Sequence, residues 1–148
     1  MSTPQKLDLL LNRIEMNCDP TIGCKKCNEF MTECLSLIQS KLPPIAVEAF
    51  RVSNDYLAGR AKLRSVTGML EQCWKYLDEN HWDQKINQLE VTAIRAVICL
   101  LHAQAHPQER DLVDQLSFFL TFVNNVESQF DREEFLLRRH FAECLNTD

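Results

Sequence analysis

The sequence predicts an all-α fold: one compact bundle of six or seven helices around a buried central helix at about residues 87–105. Three observations carry this prediction. The stretch Val91–His102, VTAIRAVICLLH, is apolar on every side except at Thr92 and Arg95, and a helix without a solvent face must be covered by neighbours all round. The flanking segments each carry one apolar stripe at three- and four-residue spacing, as covering helices do. Only 3 Gly and 5 Pro interrupt 148 residues, too few turn signals for a succession of short strands.

Ser2 or Thr3 can cap a first helix with Pro4 in its first turn and Leu7, Leu10, Leu11 and Ile14 on one face. Asp19-Pro20 and Gly23 should end it near Met16. The segment CDPTIGCKKC that follows reads as irregular. A second helix then carries Cys27, Phe30, Met31, Cys34, Leu35 and Ile38 on a stripe until Pro43-Pro44 stops it. Pro44 can start a third, whose narrow face is Ala46, Ala49, Phe50, Ser53 and Leu57, with Gly59 as a left-handed C-terminal cap.

The fourth helix, from about Ala61 to Glu79, aligns Leu63, Val66, Leu70, Cys73, Trp74 and Leu77. Gly68 is its weak point, costing about 1 kcal/mol relative to Ala. After a turn at Asn80–Asp83, the central helix starts between Lys85 and Leu89 and ends before Pro107. A sixth helix turns Leu112, Leu116, Phe119, Leu120 and Val123 inward and leaves Phe118 and Phe122 off the stripe. The seventh opens with Asp131 and Glu134 at capping-box spacing and with Phe130 packing on Phe135 as a hydrophobic staple. Leu137, Phe141, Cys144 and Leu145 then face inward. No repeat, low-complexity tract or long linker divides the chain, so residues 1–148 read as one domain.

The charge is lopsided. Residues 1–106 hold 12 acidic and 12 basic side chains, whereas 107–148 hold 9 acidic and 4 basic and so carry the whole net charge of -5. Such a surface suits a basic partner and disfavours nucleic acid. No run is long enough to span a membrane, and the N-terminus lacks the apolar core of a signal peptide, so the expected location is the cytoplasm. In that compartment the 7 cysteines are expected to be reduced thiols acting as small hydrophobes.

Four features can carry chemistry or binding. Cys18, Cys24, Cys27 and Cys34 supply four thiols, with Cys24-x-x-Cys27 as a zinc half-site or a redox pair. Zinc modules usually offer a second tight pair, and here Cys18 and Cys34 stand singly, so no metal or cofactor is assigned. Arg95 keeps its charge inside an apolar helix and is expected to be a buried structural charge paired with Asp55, Glu71 or Glu48, the alternative being a cleft residue that meets an anion or a partner's carboxylate. His102 and His106 are four apart and could share a metal with Glu109 or Asp111, but Pro107 is expected to push His106 out of helical geometry and break that relation, leaving two solvated histidines at a helix C-terminus. The C-terminal third combines Glu109, Asp111, Asp114, Glu127, Asp131, Glu133 and Glu134 with Phe118, Phe122 and Phe130, an acidic rim around aromatic anchors suited to protein binding. There is no nucleophile elbow, glycine-rich phosphate loop or distinctive carboxylate pair, so no residue is assigned to catalysis. Arg60, Lys62 and Arg64 read as a solvated helix entrance.

Tyr56-Leu57-Ala58-Gly59, Cys73-Trp74-Lys75-Tyr76-Leu77 and Ile94–Leu101 resemble the pattern of small helical bacterial immunity proteins that accompany secreted toxins. The resemblance covers roughly residues 45–145 and leaves out the N-terminal cysteine segment. It implies an intracellular inhibitor of one cognate toxin, without catalysis or cofactor, and it assigns no binding residue. Taken with the acidic end, it gives a toxin-neutralising protein whose C-terminal face meets a basic toxin. The alternative is a small metal-binding or redox-sensing protein built on the four N-terminal cysteines.

Overall fold

A computed structural model describes residues 2–18, 20–81, 87–107 and 112–145, the side chains of residues 20–24, 81 and 112 excepted. The described residues form an all-α bundle of eight helices. The first, α1 (Thr3–Asn17), begins at Ser2, whose hydroxyl accepts from the Gln5 N–H while the Gln5 side chain accepts from the Ser2 N–H. This reciprocal box satisfies two donors that a helix start leaves bare. Leu7, Leu10, Leu11 and Ile14 are buried as their spacing predicts.

The next helix corrects the sequence reading. CDPTIGCKKC is not an irregular segment, because α2 runs from Pro20 to Leu37 and takes in Gly23 and both Cys24 and Cys27. A proline is tolerated in the first turn of a helix, where its missing N–H would have no partner anyway, so Pro20 starts this helix and breaks nothing. Its stripe of Cys27, Phe30, Met31, Cys34, Leu35 and Ile38 is buried. A single 3-10 turn, Gln39–Lys41, leads to the Pro43-Pro44 stop.

The α3 helix (Pro44–Leu57) and α4 helix (Leu63–His81) pack on one another as a hairpin. Gly59, with φ of 79°, reverses the chain in the left-handed region that side chains avoid. The expected inner faces hold except at their margins, where Leu57, Leu63 and Trp74 are exposed. Then come α5 (Gln88–Ala105), capped by the Asn87 side chain on the Glu90 N–H, and α6 (Leu112–Val126). The last segment breaks at Phe141 into α7 (Phe130–His140) and the one-turn α8 (Ala142–Leu145).

The central position of α5 is as the sequence predicts. It packs against α2, α3, α4 and α6, and Ala93, Ile94, Ala96, Val97, Leu100 and Leu101 are wholly buried. It does keep one thread of contact with solvent: Arg95 is exposed, Cys99 and His102 are half-buried, and His106 is exposed. Steps of three and four residues place these on one line of the helix. Arg95 is therefore not a buried charge. Asp55 and Glu48 serve Arg51 and Arg60 instead, at 2.8 Å for Arg51–Asp55 and 3.1 Å for Arg60–Asp55.

On the other side of α5, the helices α1, α2, α6, α7 and α8 close a second part of the core. Phe30 sits edge-on to Phe119 and to Phe141, with ring centroids 6.5 and 6.3 Å apart. All three rings are fully buried, and each fixes one helix of this part: α2, α6 and the α7–α8 corner. Edge-to-face pairs of this kind add about 0.5–1.5 kcal/mol beyond burial.

Candidate protein-binding surface

The ten C-terminal acidic and aromatic residues that the sequence groups together do not form one face. Glu109 and Asp111 lie outside the described residues. Asp114, Phe118 and Phe122 follow one another at four-residue spacing along the outer face of α6, and Phe118 is 63% exposed. Beside them the Arg95 guanidinium lies over the Phe122 ring, 4.7 Å from its centroid. The cation covers the ring face and leaves the neighbouring Phe118 open, a pairing of aromatic and arginine that protein interfaces favour. The expected exposure of Phe118 holds, whereas Phe122 is half-buried beneath the arginine.

The remaining acids are occupied within the fold. Glu127 pairs with Lys41 at 3.6 Å and Glu134 with Arg138 at 3.2 Å. Asp131 accepts a hydrogen bond from the Thr3 hydroxyl at 3.0 Å. The expected capping box therefore does not form: Asp131 lies inside the first turn of α7, the N-cap is Gln129, and Phe135 is 64% exposed with no staple role. Asn124 takes over the junction. Its Oδ1 accepts from the Gln129 N–H at 2.9 Å, and its Nδ2 donates at 2.8 Å both to the Leu120 carbonyl and to Glu133 Oε1.

Glu133 departs furthest from the sequence reading. It is no surface acid, since its side chain is wholly buried between the helices and Oε2 has no hydrogen-bond partner. Burial raises its carboxyl to about 7, and the hydrogen bond from Asn124 offsets only part of that. An acid so placed holds its proton more readily than its exposed neighbours and adds little to an acidic rim.

Between α1 and α6 runs a groove of about 270 Å³. Leu7, Leu11, Leu120 and Phe130 make it apolar, while Asp8, Thr121 and Asn125 edge it. Phe130 thus faces this groove and the core, on the other side of α6 from the Arg95–Phe122 contact. The groove is smaller than most small-molecule sites, but it is large enough for one side chain of a partner. The sequence reading missed its α1 wall, because nothing in Pro4, Leu7, Asp8 and Leu11 says which helix they will meet.

The N-terminal cysteines differ in burial. Cys27 and Cys34 lie in the core two turns apart on α2, Cys18 is half-buried beyond the end of α1, and the side chain of Cys24 lies outside the described residues. Burial is the chief reason the Cys34 thiol sits well above its ordinary pKa, with Glu133 and Glu33 adding to it.

Comparison of the chain with protein-family models, with curated proteins and with solved structures finds no match. No described helix is long and apolar enough to cross a membrane. The fold defines an all-α bundle, and its surface offers an aromatic and arginine face on one side of α6 and a narrow amphipathic groove on the other.

Proposed function

We propose that the chain is a cytoplasmic binding protein of the bacterial immunity or antitoxin type, which neutralises a basic toxin through the outer face of α6. The observation that carries this reading is Phe118, 63% exposed beside the Arg95–Phe122 contact. A large ring held out in water on a rigid helix costs hydration free energy, which burial in a partner recovers. Arginine and aromatic anchors dominate measured interface energies. Asp114 on the same face supplies a negative charge for steering. This differs from an interface made by the whole acidic end, because Glu133 is buried and Glu127, Asp131 and Glu134 have partners within the chain. On this reading the protein has no catalytic residue and needs no cofactor.

The test is capture of the tagged protein from its native cells, followed by expression of the captured partner alone. A stoichiometric basic partner that is toxic by itself supports the reading. Phe118→Ala should then weaken the complex by about 30-fold, the cost of losing a hot-spot side chain. Phe135→Ala, which removes an equally exposed ring on α7, should leave it unchanged. A complex left unchanged by Phe118→Ala would take α6 out of the interface.

A further inference from the structure

The histidine pair at the end of α5 follows half of what Pro107 predicts: His106 leaves helical geometry, with φ of -131° and ψ of 63°. His106 is the C-cap residue, and its N–H still donates to the His102 carbonyl at 2.9 Å, so the i, i+4 relation survives the proline. The two imidazoles lie side by side, with ring centroids 4.8 Å apart and planes inclined by 47°. His106 is exposed and His102 half-buried, so solvent reaches the pair. We propose that His102 and His106 form a two-imidazole chelate for a borderline divalent transition metal ion such as Zn2+ or Ni2+.

Imidazole nitrogen suits zinc and nickel, whereas calcium and magnesium take oxygen ligands. The backbone hydrogen bond that closes the turn already holds the rings on the same side of the helix, so binding orders less of the protein than it would from two free side chains. The site also lies at a helix C-terminus, where unpaired carbonyls and the helix dipole favour a positive ion. Among the described residues no cluster of three metal-binding side chains forms. Cys99 lies one turn earlier on the same line of α5, half-buried, with its thiol pushed up to about 12 chiefly by burial. The ion would staple the last turn of α5 at its exposed end, apart from the α6 surface proposed to bind a protein.

The experiment is calorimetric titration of the full chain with Ni2+, and separately with Zn2+, at about pH 7.5, where unperturbed imidazoles are mostly neutral. One ion per chain is expected, with micromolar affinity. His102→Ala and His106→Ala should each weaken it by at least about tenfold, since removing even a supporting contact of a metal ligand costs that much. His106→Gln, which keeps the bulk of the C-cap side chain, should do the same with an unchanged helical circular dichroism spectrum. Failure to bind either ion would overturn the proposal. So would binding that survives in both alanine variants, because that places the ion elsewhere on the chain.

Discussion

The α3–α4 hairpin and the closure of α7 and α8 onto α1 and α2 hold their charges in opposite ways. In the hairpin the ion pairs are local: Arg51 meets Glu48 and Asp55, Arg60 meets Asp55, and Lys75 meets Glu79, never more than five residues apart. In the closure one pair is local, Glu134–Arg138 within α7, but the partners that join the helices are remote in sequence. Glu33 of α2 accepts from Arg139 and lies 2.9 Å from His140 Nε2, Lys26 meets Glu143 at 3.4 Å, and the Asn17 side chain donates to the Cys144 carbonyl at 3.1 Å. A local pair forms in any helix of that sequence, folded or not, and so discriminates little between native and unfolded chains. A remote pair exists only once the tertiary fold is complete. The His140 side chain is only 10% exposed, so its contact with Glu33 is also less screened by water.

The largest effect that sharpens this contrast belongs to Glu133, which sits inside the closing part. Its carboxyl is raised from 4.5 to about 7 on folding, so between those values the native state holds a proton that the unfolded chain has released. Stability therefore falls as pH rises from about 4.5 through about 7, by at most about 3 kcal/mol, and is level beyond. Glu133→Gln cannot ionise. It should abolish that slope and raise the urea midpoint at about pH 8, and a slope that persists would belong to another group.

Next in size is the comparison of Glu33→Ala with Arg51→Ala. The first strands Arg139 and the nearly buried His140 and should cost about 1 kcal/mol in chemical denaturation. The second removes an exposed local pair and should leave the denaturation midpoint in place. Equal losses would erase the distinction drawn between the two regions.

The smallest effects lie within the hairpin and have opposite signs. Gly68 is helical and a methyl group there would meet nothing within 4 Å, so Gly68→Ala should raise stability by up to about 1 kcal/mol. Gly59 has equal room but a φ of +79°, so Gly59→Ala should lower it by about 1 kcal/mol through backbone strain alone. Thermal melts of the two variants measure both.

What could be read in the sequence follows the same division. Stripes such as Leu7–Leu10–Leu11–Ile14 and Leu116–Phe119–Leu120–Val123 are buried as their spacing predicts, because apolar periodicity is a property of one helix. The Gly59 cap was legible for the same reason. The polar thread on α5 was legible too, in the three- and four-residue steps from Arg95 to Cys99, His102 and His106, but the apolar residues between them pointed to burial on every side. Pro20 was misread because the same residue can end a helix or begin one, and only the packing of Cys27, Phe30 and Cys34 against their neighbours decides for beginning.

For the candidate site the sequence supplied the residue types but not their grouping. It marked Phe118 and Phe122 as lying off the buried stripe of α6, since position on a helix follows from spacing alone. It could not place Arg95 over Phe122, bury Glu133 beneath Asn124 or set α1 against α6 to form the groove. By itself, then, the sequence determined where helices form, which face of each is apolar and where the chain turns, because those are short-range consequences of side-chain size, polarity and backbone freedom. Only the tertiary structure decided which acids stay in water and which aromatic rings remain uncovered, because the surroundings of a side chain are set by residues up to 128 positions away.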